Sequence, residues 1–162
     1  MIEYNIYNGF YSIDGLNDDD RLVLLYHQNN KTNGISDVGM RVKTYNKSRK
    51  KLIDINMIFK DGKVIKANLI QCSQINTGEL IGVFPEWLFY DRYLDSTEKF
   101  MYSVYYMYTF KMKKKVCSLT NDTICSQLRI PKDTFMKKKR KLKELGYITT
   151  DGGIRTWALR DC

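Results

Sequence analysis

The sequence predicts an α+β fold, mainly helical with β-hairpins, in which one plan of elements occurs twice. Apolar residues recur at helical spacing through the second half, and an Asp-Gly pair near the end separates two short strand-like runs. A similar order of apolar, basic and turn residues occupies the first half. Because 162 residues suffice for two small domains, we predict one domain over residues 1–82 and another over residues 83–162.

The second half begins with the end of a strand, near Gly82–Pro85, followed by a short helix or turn, "EWLFYDRYL". A long helix is predicted over "DSTEKFMYSVYYMYTFK", where Asp95 or Ser96 can cap the start and Glu98 lies in the first turn. One face of this helix is apolar and consists of Phe100, Val104, Met107 and Tyr108.

Two tyrosines of that helix, Tyr105 and Tyr106, fall outside its apolar face. Aromatic side chains can stack on single-stranded bases, but helical spacing favours core packing or a protein interface. We therefore expect these two side chains to be available to a partner subunit, which would allow a homodimer.

A short second helix and a basic third helix come next. Thr120 can cap the second, "LTNDTICSQL", and Pro131 suits the first turn of the third, where a missing N–H has no helical partner. The third helix is predicted from about Lys132 to Leu145 and ends at Gly146, a typical C′ residue. Residues "YITTDGGIRTWALR" then form a hairpin. The core-facing side chains of the third helix should be Phe135, Leu142 and Leu145.

Helix, helix, turn, helix and hairpin is the order of a winged helix-turn-helix, and residues 119–159 resemble that family. The matching signature, "LTNDTICSQLRIPKDTFMKKKRKLKELGYIT", combines a capped short helix, a basic third helix and the run L-x-x-L-G-Y-I. The preceding "FPEWLFYDRYLDSTEKFMYSVYYMYT" is similar to the segment that leads into this motif in plasmid replication initiators and phage replisome organisers. The resemblance implies a protein that binds DNA and marks a replication origin.

The first half repeats this plan. "LNDDDRLV" at 16–23 aligns with "LDSTEKFM" at 94–101, and the distance from Ser36 to Gly62 equals that from Thr120 to Gly146. We therefore predict tandem winged helix-turn-helix domains. Two unrelated helical hairpins with similar apolar spacing are the alternative.

The elements of the first copy follow from this alignment. Its lead helix is predicted over about Asp18–Asn30 and its third helix over about Lys47–Lys60. A long hairpin, "KVIKANLIQCSQINTGELIGVF", should follow. The core-facing residues of the third helix should be Leu52, Ile55 and Phe59.

Positive charge is concentrated in the second half of the chain. The net charge is +9; residues 1–82 hold 11 basic and 9 acidic side chains, whereas residues 83–162 hold 16 and 9. Between Lys111 and Arg160 there are 14 basic side chains and 4 acidic ones. This concentration indicates a polyanionic partner, for which the resemblance implies double-stranded DNA. A solvated cationic face is the plainer alternative.

The resemblance implies that the third helix enters the major groove, with base contacts near its N-terminal part. Arg140 is the best candidate to contact a guanine, because its planar fork allows bidentate contact. Arg140 and Lys141 are also expected to meet phosphates, and Arg155 in the wing can reach a minor groove or phosphate. The remaining candidates in the second copy are Lys132, Asp133, Thr134, Met136 and Lys137, and those in the first copy are Lys47, Arg49 and Lys50.

One position departs from the family pattern. A winged helix usually has an apolar residue where Lys139 stands, three positions before Leu142. Lys138 or Lys139 must then run its aliphatic stem along the edge of the core and release its charge to water.

Enzymatic function finds little support in the sequence. It contains no G-x-x-x-x-G-K-[ST] phosphate loop and no G-x-S-x-G elbow, and its one histidine, His27, cannot form a paired-histidine metal site. We predict a non-enzymatic protein without cofactor or metal. His27 is expected at the surface, at the end of the first lead helix.

Cellular context is predicted from what the chain lacks. No apolar run approaches the ~18 residues of a membrane span, and the N-terminus does not resemble a signal peptide. The four cysteines show no C-x-x-C spacing. We therefore predict a cytoplasmic protein with reduced thiols and no membrane partner.

Three roles remain open at the level of sequence. The first is an origin-binding replication initiator or organiser of a plasmid or phage, and the second is a transcriptional regulator that binds an operator. The third is a protein-interaction winged helix that has lost DNA binding. Replication or transcription proteins are the further partners that these roles imply.

Overall fold

The computed structural model describes residues 2–29 and 39–154. In that part of the chain the predicted α+β class is confirmed, with seven α-helices and two small antiparallel sheets. The strands are β1 (Glu3–Tyr7), β2 (Ile58–Asp61), β3 (Val64–Ala67) and β4 (Leu80–Pro85). The helices are α1 (Asp18–Asn29), α2 (Val42–Asp54), α3 (Leu69–Cys72), α4 (Trp87–Tyr90), α5 (Ser96–Tyr106), α6 (Asn121–Leu128) and α7 (Lys132–Glu144).

The chain forms two compact units. Over their described residues, one consists of Tyr7–Glu79 and Phe89–Ser96, here called the α2 unit. The other, here called the α7 unit, consists of Met1–Ile6, Leu80–Leu88 and Thr97–Cys162. The predicted division into 1–82 and 83–162 stays a prediction; the compact units differ from it at the N-terminus and between residues 80 and 96.

In the α2 unit, helix α1 begins at a reciprocal cap. The Asn17 side chain accepts a hydrogen bond from the Asp20 amide at 2.9 Å, and the Asp20 carboxylate accepts one from the Asn17 amide at 3.0 Å. Helices α1 and α2 pack together with hairpin β2–β3 beside them. The buried core of this unit includes Leu22, Leu25, Leu52, Ile58 and Ile65.

The third helix of the first copy is earlier than predicted, since α2 spans Val42–Asp54 instead of about Lys47–Lys60. Asn56 adopts a left-handed conformation with φ 62° and ends the helix there. Of the three predicted core residues, Leu52 is fully buried, whereas Ile55 is 41% exposed and Phe59, in β2, is 43% exposed.

The hairpin of the first copy was also misplaced. Gly62, aligned from the sequence with a helix terminator, has φ 65° and forms the turn between β2 and β3. Strand β4, predicted as part of that hairpin, pairs instead with β1. Ser36, where the aligned segment of the first copy starts, lies outside the described residues.

In the α7 unit, α5 packs closely on β4. A Cβ atom on Gly82 would lie 2.6 Å from Ser103 Oγ, so only glycine permits this approach. The helix continues beyond Tyr106 as a π-helical segment, Met107–Lys111.

Tyr105 and Tyr106, expected to be available to a partner, are buried at 2% and 0% exposure. The Tyr106 hydroxyl donates to Glu3 at 2.7 Å. Glu3 lies on β1, a strand that the sequence pattern did not predict.

The C-terminal helices largely follow the prediction. Thr120 caps α6 by accepting from the Thr123 amide at 3.2 Å, and Gly146 has φ 82° just beyond α7. Pro131 is the N-cap residue of α7 and not part of its first turn. Phe135 and Leu142 are fully buried, but Leu145 is 39% exposed because it is the C-cap residue, where the helix ends.

The start of the predicted second hairpin is present. Ile148 and Ile154 form an antiparallel bridge, and the Thr149 amide donates to the Gly153 carbonyl at 2.8 Å. Arg155 and the remainder of the predicted wing lie outside the described residues. Within residues 2–29 and 39–154, the helices fall short of the length and apolarity that a membrane crossing requires.

Candidate nucleic-acid interface

Helices α6 and α7 are held together by a short turn and a shared apolar core. Arg129 takes a left-handed conformation, φ 52° and ψ 46°, that reverses the chain after α6. Ile130 follows it and is buried at 7% exposure. The apolar faces of the two helices then meet through Ile124, Leu128, Phe135 and Leu142, all at most 2% exposed. This packing leaves the opposite face of α7 to solvent.

Two cations occupy that exposed face. Lys137 and Arg140 are three positions apart and so lie on the same side of the helix. Both are exposed, and within residues 2–29 and 39–154 neither side chain makes a hydrogen bond or an ion pair. Asp133 and Thr134 are also exposed, one turn nearer the start of the helix. Met136 is 40% exposed, and its sulfur accepts from Asn121 Nδ2 at 3.6 Å.

Two other candidate lysines are engaged with carboxylates. Lys132 forms an ion pair with Asp122 of α6, and both side chains are more than half exposed. Lys141 Nζ lies 2.7 Å from Glu98 Oε1 of α5, whose side chain is only 1% exposed. Among the cations of α7 that the sequence proposed as DNA contacts, Lys137 and Arg140 are the two without a carboxylate partner in the described part of the chain.

Lys139 is the residue that runs along the core edge. Its Nζ lies 5.9 Å from the centroid of the Tyr105 ring and 6.0 Å from that of Phe135, and it donates to Asn121 Oδ1 at 2.7 Å. Burial, followed by the nearby charge of Lys143, lowers the pKa of Lys139 below its usual range. Of the two expected candidates, Lys139 takes the core edge, but its ammonium group donates to Asn121 and is partly buried, where release of the charge to water had been expected.

The candidates of the first copy lie on α2, in the other compact unit. Lys47 and Lys50 are exposed, whereas Arg49 is half-buried, with its guanidinium carbon 6.0 Å from the centroid of the Tyr45 ring. All three stand in the middle of the helix, since α2 starts at Val42. The predicted start at about Lys47, which would place Arg49 and Lys50 near the helix N-terminus, is therefore wrong.

The two units repeat the same internal contacts. Asp20 and Glu98 are each the third residue of a lead helix, and each accepts from the lysine at the tenth position of a 13-residue helix. The Nζ–O distances are 2.7 Å for Lys51–Asp20 and 2.7 Å for Lys141–Glu98. The eighth residue of each helix is a cation, and the fourth is aromatic. The guanidinium carbon of Arg49 and the Nζ atom of Lys139 each lie 6.0 Å from the centroid of that aromatic ring.

The ends of the two helices also correspond. The Met57 amide donates to the Leu52 carbonyl at 3.0 Å, and the Tyr147 amide donates to the Leu142 carbonyl at 2.9 Å. Asn56 and Gly146 both have positive φ between these partners. The contacts therefore align Leu52 with Leu142, whereas the sequence alignment had placed Gly62 opposite Gly146.

Sequence reasoning missed the residues that carry this repeat, although a signal was present. "TYNKSRKKL" and "TFMKKKRKL" share threonine, an aromatic residue, two lysines and leucine at equal spacing. Aligning glycine with glycine concealed that match, because asparagine can also supply the left-handed residue that ends a helix.

His27 is part of the α2 unit's interior and not a surface residue as predicted. It is 2% exposed, and its Nε2 lies 2.7 Å from the Tyr45 hydroxyl, which supplies the polar partner that burial requires. In the described part of the chain, no cluster of histidine, cysteine and acidic side chains could hold a metal ion.

The fold and this face together define an α+β protein. Its helices α6 and α7 bury their apolar faces against each other, and α7 exposes cations on its opposite face. No family model, curated protein or solved structure matches the chain.

Proposed function

We propose that the chain is a non-enzymatic protein that binds double-stranded DNA through α7. The observation that carries this proposal is the pair Lys137 and Arg140, exposed opposite the buried residues Phe135 and Leu142. A helix with its apolar side fixed and its cationic side free fits the major groove, where lysine and arginine meet phosphates and guanines. Asp133, on the same side, can accept from a cytosine amino group.

The architecture that supports this function is a tandem of winged helix-turn-helix domains. The repeated lysine–carboxylate pairs and the repeated helix ends support a duplication of one unit. The bridge between Ile148 and Ile154 is where a wing would begin in the second copy. In the first copy, the β2–β3 hairpin occupies the corresponding place after α2.

The biological role that we propose is origin binding in the replication of a plasmid or phage. It rests on the resemblance of the lead-in and motif sequences to replication initiators and replisome organisers. A transcriptional regulator that binds an operator is the alternative. A neighbouring gene for a replicative helicase or its loader would favour replication, and a divergent promoter would favour regulation.

DNA binding is tested with labelled duplex DNA of mixed sequence and fluorescence anisotropy. The wild type should bind at low salt with a Kd on the order of micromolar or below. The double variant Lys137→Ala, Arg140→Ala should bind at least about tenfold more weakly while keeping its thermal melt, because both side chains are exposed.

The matched control removes equal charge elsewhere in the same unit. Lys114 and Lys115 are exposed in the loop between α5 and α6, and their replacement by alanine should weaken binding much less. Equal losses in the two double variants would reduce the interaction to general attraction between a cationic protein and DNA. Absence of binding by the wild type would overturn the proposal.

A further inference from the structure

Lys141 was expected to contact phosphate, yet its charge is already engaged. Its Nζ lies 2.7 Å from Glu98 Oε1, and the Glu98 side chain is 1% exposed. Moving Lys141 towards DNA would separate it from a buried carboxylate, and breaking a buried ion pair is unfavourable. Glu98 therefore holds Lys141 against α5 more firmly than a surface carboxylate would.

The same arrangement occurs independently in the α2 unit. Lys51 Nζ lies 2.7 Å from Asp20 Oδ2, and the exposed fractions of the two side chains, 41% and 3%, match the 44% and 1% of Lys141 and Glu98. Asp20 also accepts from Ser48 Oγ at 2.7 Å, which fixes the carboxylate to α2 a second time. A lysine that pairs with a buried lead-helix carboxylate in both units has a role in joining two helices.

We propose that Lys141 is a positioning residue: its ion pair with Glu98 sets the orientation of α7 on α5 and thereby the direction in which Lys137 and Arg140 face DNA. The proposal rests on the proposed DNA-binding function. It removes Lys141 from the set of phosphate contacts. Lys141 stands one turn beyond Lys137, so without the ion pair α7 would sample other orientations in the free protein and would have to be reoriented before Lys137 and Arg140 could bind DNA. The complex, once formed, would keep the same phosphate contacts.

Salt dependence separates a positioning residue from a phosphate contact. The logarithm of the binding constant falls with the logarithm of salt, with a slope of about 0.9 for each phosphate contact in duplex DNA. Lys137→Gln should reduce that slope by about 0.9. Lys141→Gln should raise Kd by about tenfold at every salt concentration and leave the slope at the wild-type value. Lys141→Arg, which keeps the pair, should restore the affinity.

The two possible roles of Lys141 predict different effects of Glu98→Gln on DNA affinity. If Lys141 positions α7, losing the carboxylate should weaken DNA binding, and the double variant Glu98→Gln, Lys141→Gln should bind no worse than either single variant. If Lys141 contacts phosphate, Glu98→Gln frees the cation and should leave binding unchanged or tighter. Thermal melts identify the fraction of each variant that is folded, and affinities refer to that fraction.

Failure of the positioning role of Lys141 can be told apart from failure of the proposed DNA-binding function. A wild type that fails to bind duplex DNA overturns the proposed function. A wild type that binds, with Lys141→Gln lowering the slope as Lys137→Gln does, overturns the positioning role alone. Should Glu98→Gln fail to fold, the slope of Lys141→Gln still decides between the two roles. A folded Lys141→Gln protein with wild-type affinity also contradicts the proposal, since the pair would then serve stability only.

Discussion

Leu52 and Leu142 occupy the same position in two helices of equal length, α2 and α7, and neither exposes any of its surface. Each accepts a hydrogen bond from the amide five residues on, across a residue with positive φ. The preceding residue in both helices is the lysine that reaches back to the lead helix. One local design thus anchors both helices, and the predictions below test its parts.

Truncating either leucine should open a cavity in a closed core. Leu142→Ala and Leu52→Ala should each lower the free energy of unfolding by about 2–5 kcal/mol in a urea melt. Leu145→Ala is the matched control, because this side chain is 39% exposed, and it should change stability much less. Similar small losses in all three variants would contradict the placement of α2 and α7.

Lys139 should be replaceable by an apolar residue with a gain in stability. Because burial lowers the pKa of Lys139, its charged form is less well stabilised in the folded protein than in the unfolded chain. Lys139→Leu should therefore be neutral or stabilising by up to about 1 kcal/mol at pH 7 in a urea melt. Since the folded pKa is below the unfolded one, wild-type stability rises with pH between those two values, and the advantage of leucine should shrink there.

The control for that substitution is Lys137→Leu, on the exposed side of the same helix. It should not stabilise the protein, because its charge is hydrated in both states. A clear loss of stability in Lys139→Leu would show that the hydrogen bond to Asn121 outweighs the burial of the ammonium group.

The hydroxyl of Tyr45 should matter to folding because it is a buried partner of His27. Tyr45→Phe removes the group 2.7 Å from His27 Nε2 and should destabilise the protein by about 1–3 kcal/mol in a urea melt. The equivalent position in the α7 unit is already phenylalanine, Phe135, so the ring itself is compatible with the fold. A Tyr45→Phe protein as stable as the wild type would mean that His27 finds another partner.

The α2 unit should contribute a second contact with DNA if the repeat extends to function. The alignment of Leu52 with Leu142 makes Lys47 the equivalent of Lys137 and Lys50 the equivalent of Arg140. Lys47→Ala with Lys50→Ala should then weaken binding and lower the salt slope by about 1.8, at about 0.9 for each phosphate. An unchanged slope would assign the α2 unit to partner or subunit binding, a role that exposed Leu69 (74%) and Ile70 (78%) would suit.

Sequence patterns succeeded where structure is set by neighbouring residues. Gly146 and Thr120 mark helix ends through contacts within four residues, and Phe135 and Leu142 follow helical spacing. Asn56 was overlooked because the more conspicuous Gly62 stood six residues further on.

What failed depends on contacts between distant segments. The burial of Tyr106 follows from strand β1, which reaches α5 from the other end of the sequence. The tie between Lys141 and Glu98 spans 43 positions, and no local pattern marks a lysine as paired. The candidate residues could thus be assigned to one helix from the sequence, while the division of its lysines into exposed and engaged required the fold.

The salt dependence of duplex DNA binding tests the central claim most directly. It should be measured for the wild type and for Lys137→Ala, Arg140→Ala with one mixed-sequence duplex over a range of salt concentrations. We predict a linear fall of log K with log salt for the wild type. The magnitude of the slope should be smaller for the double variant by about 0.9 if Arg140 contacts a guanine and by about 1.8 if it contacts phosphate. Salt-independent binding, or identical slopes for two folded proteins, would contradict the claim that α7 meets DNA through these two side chains.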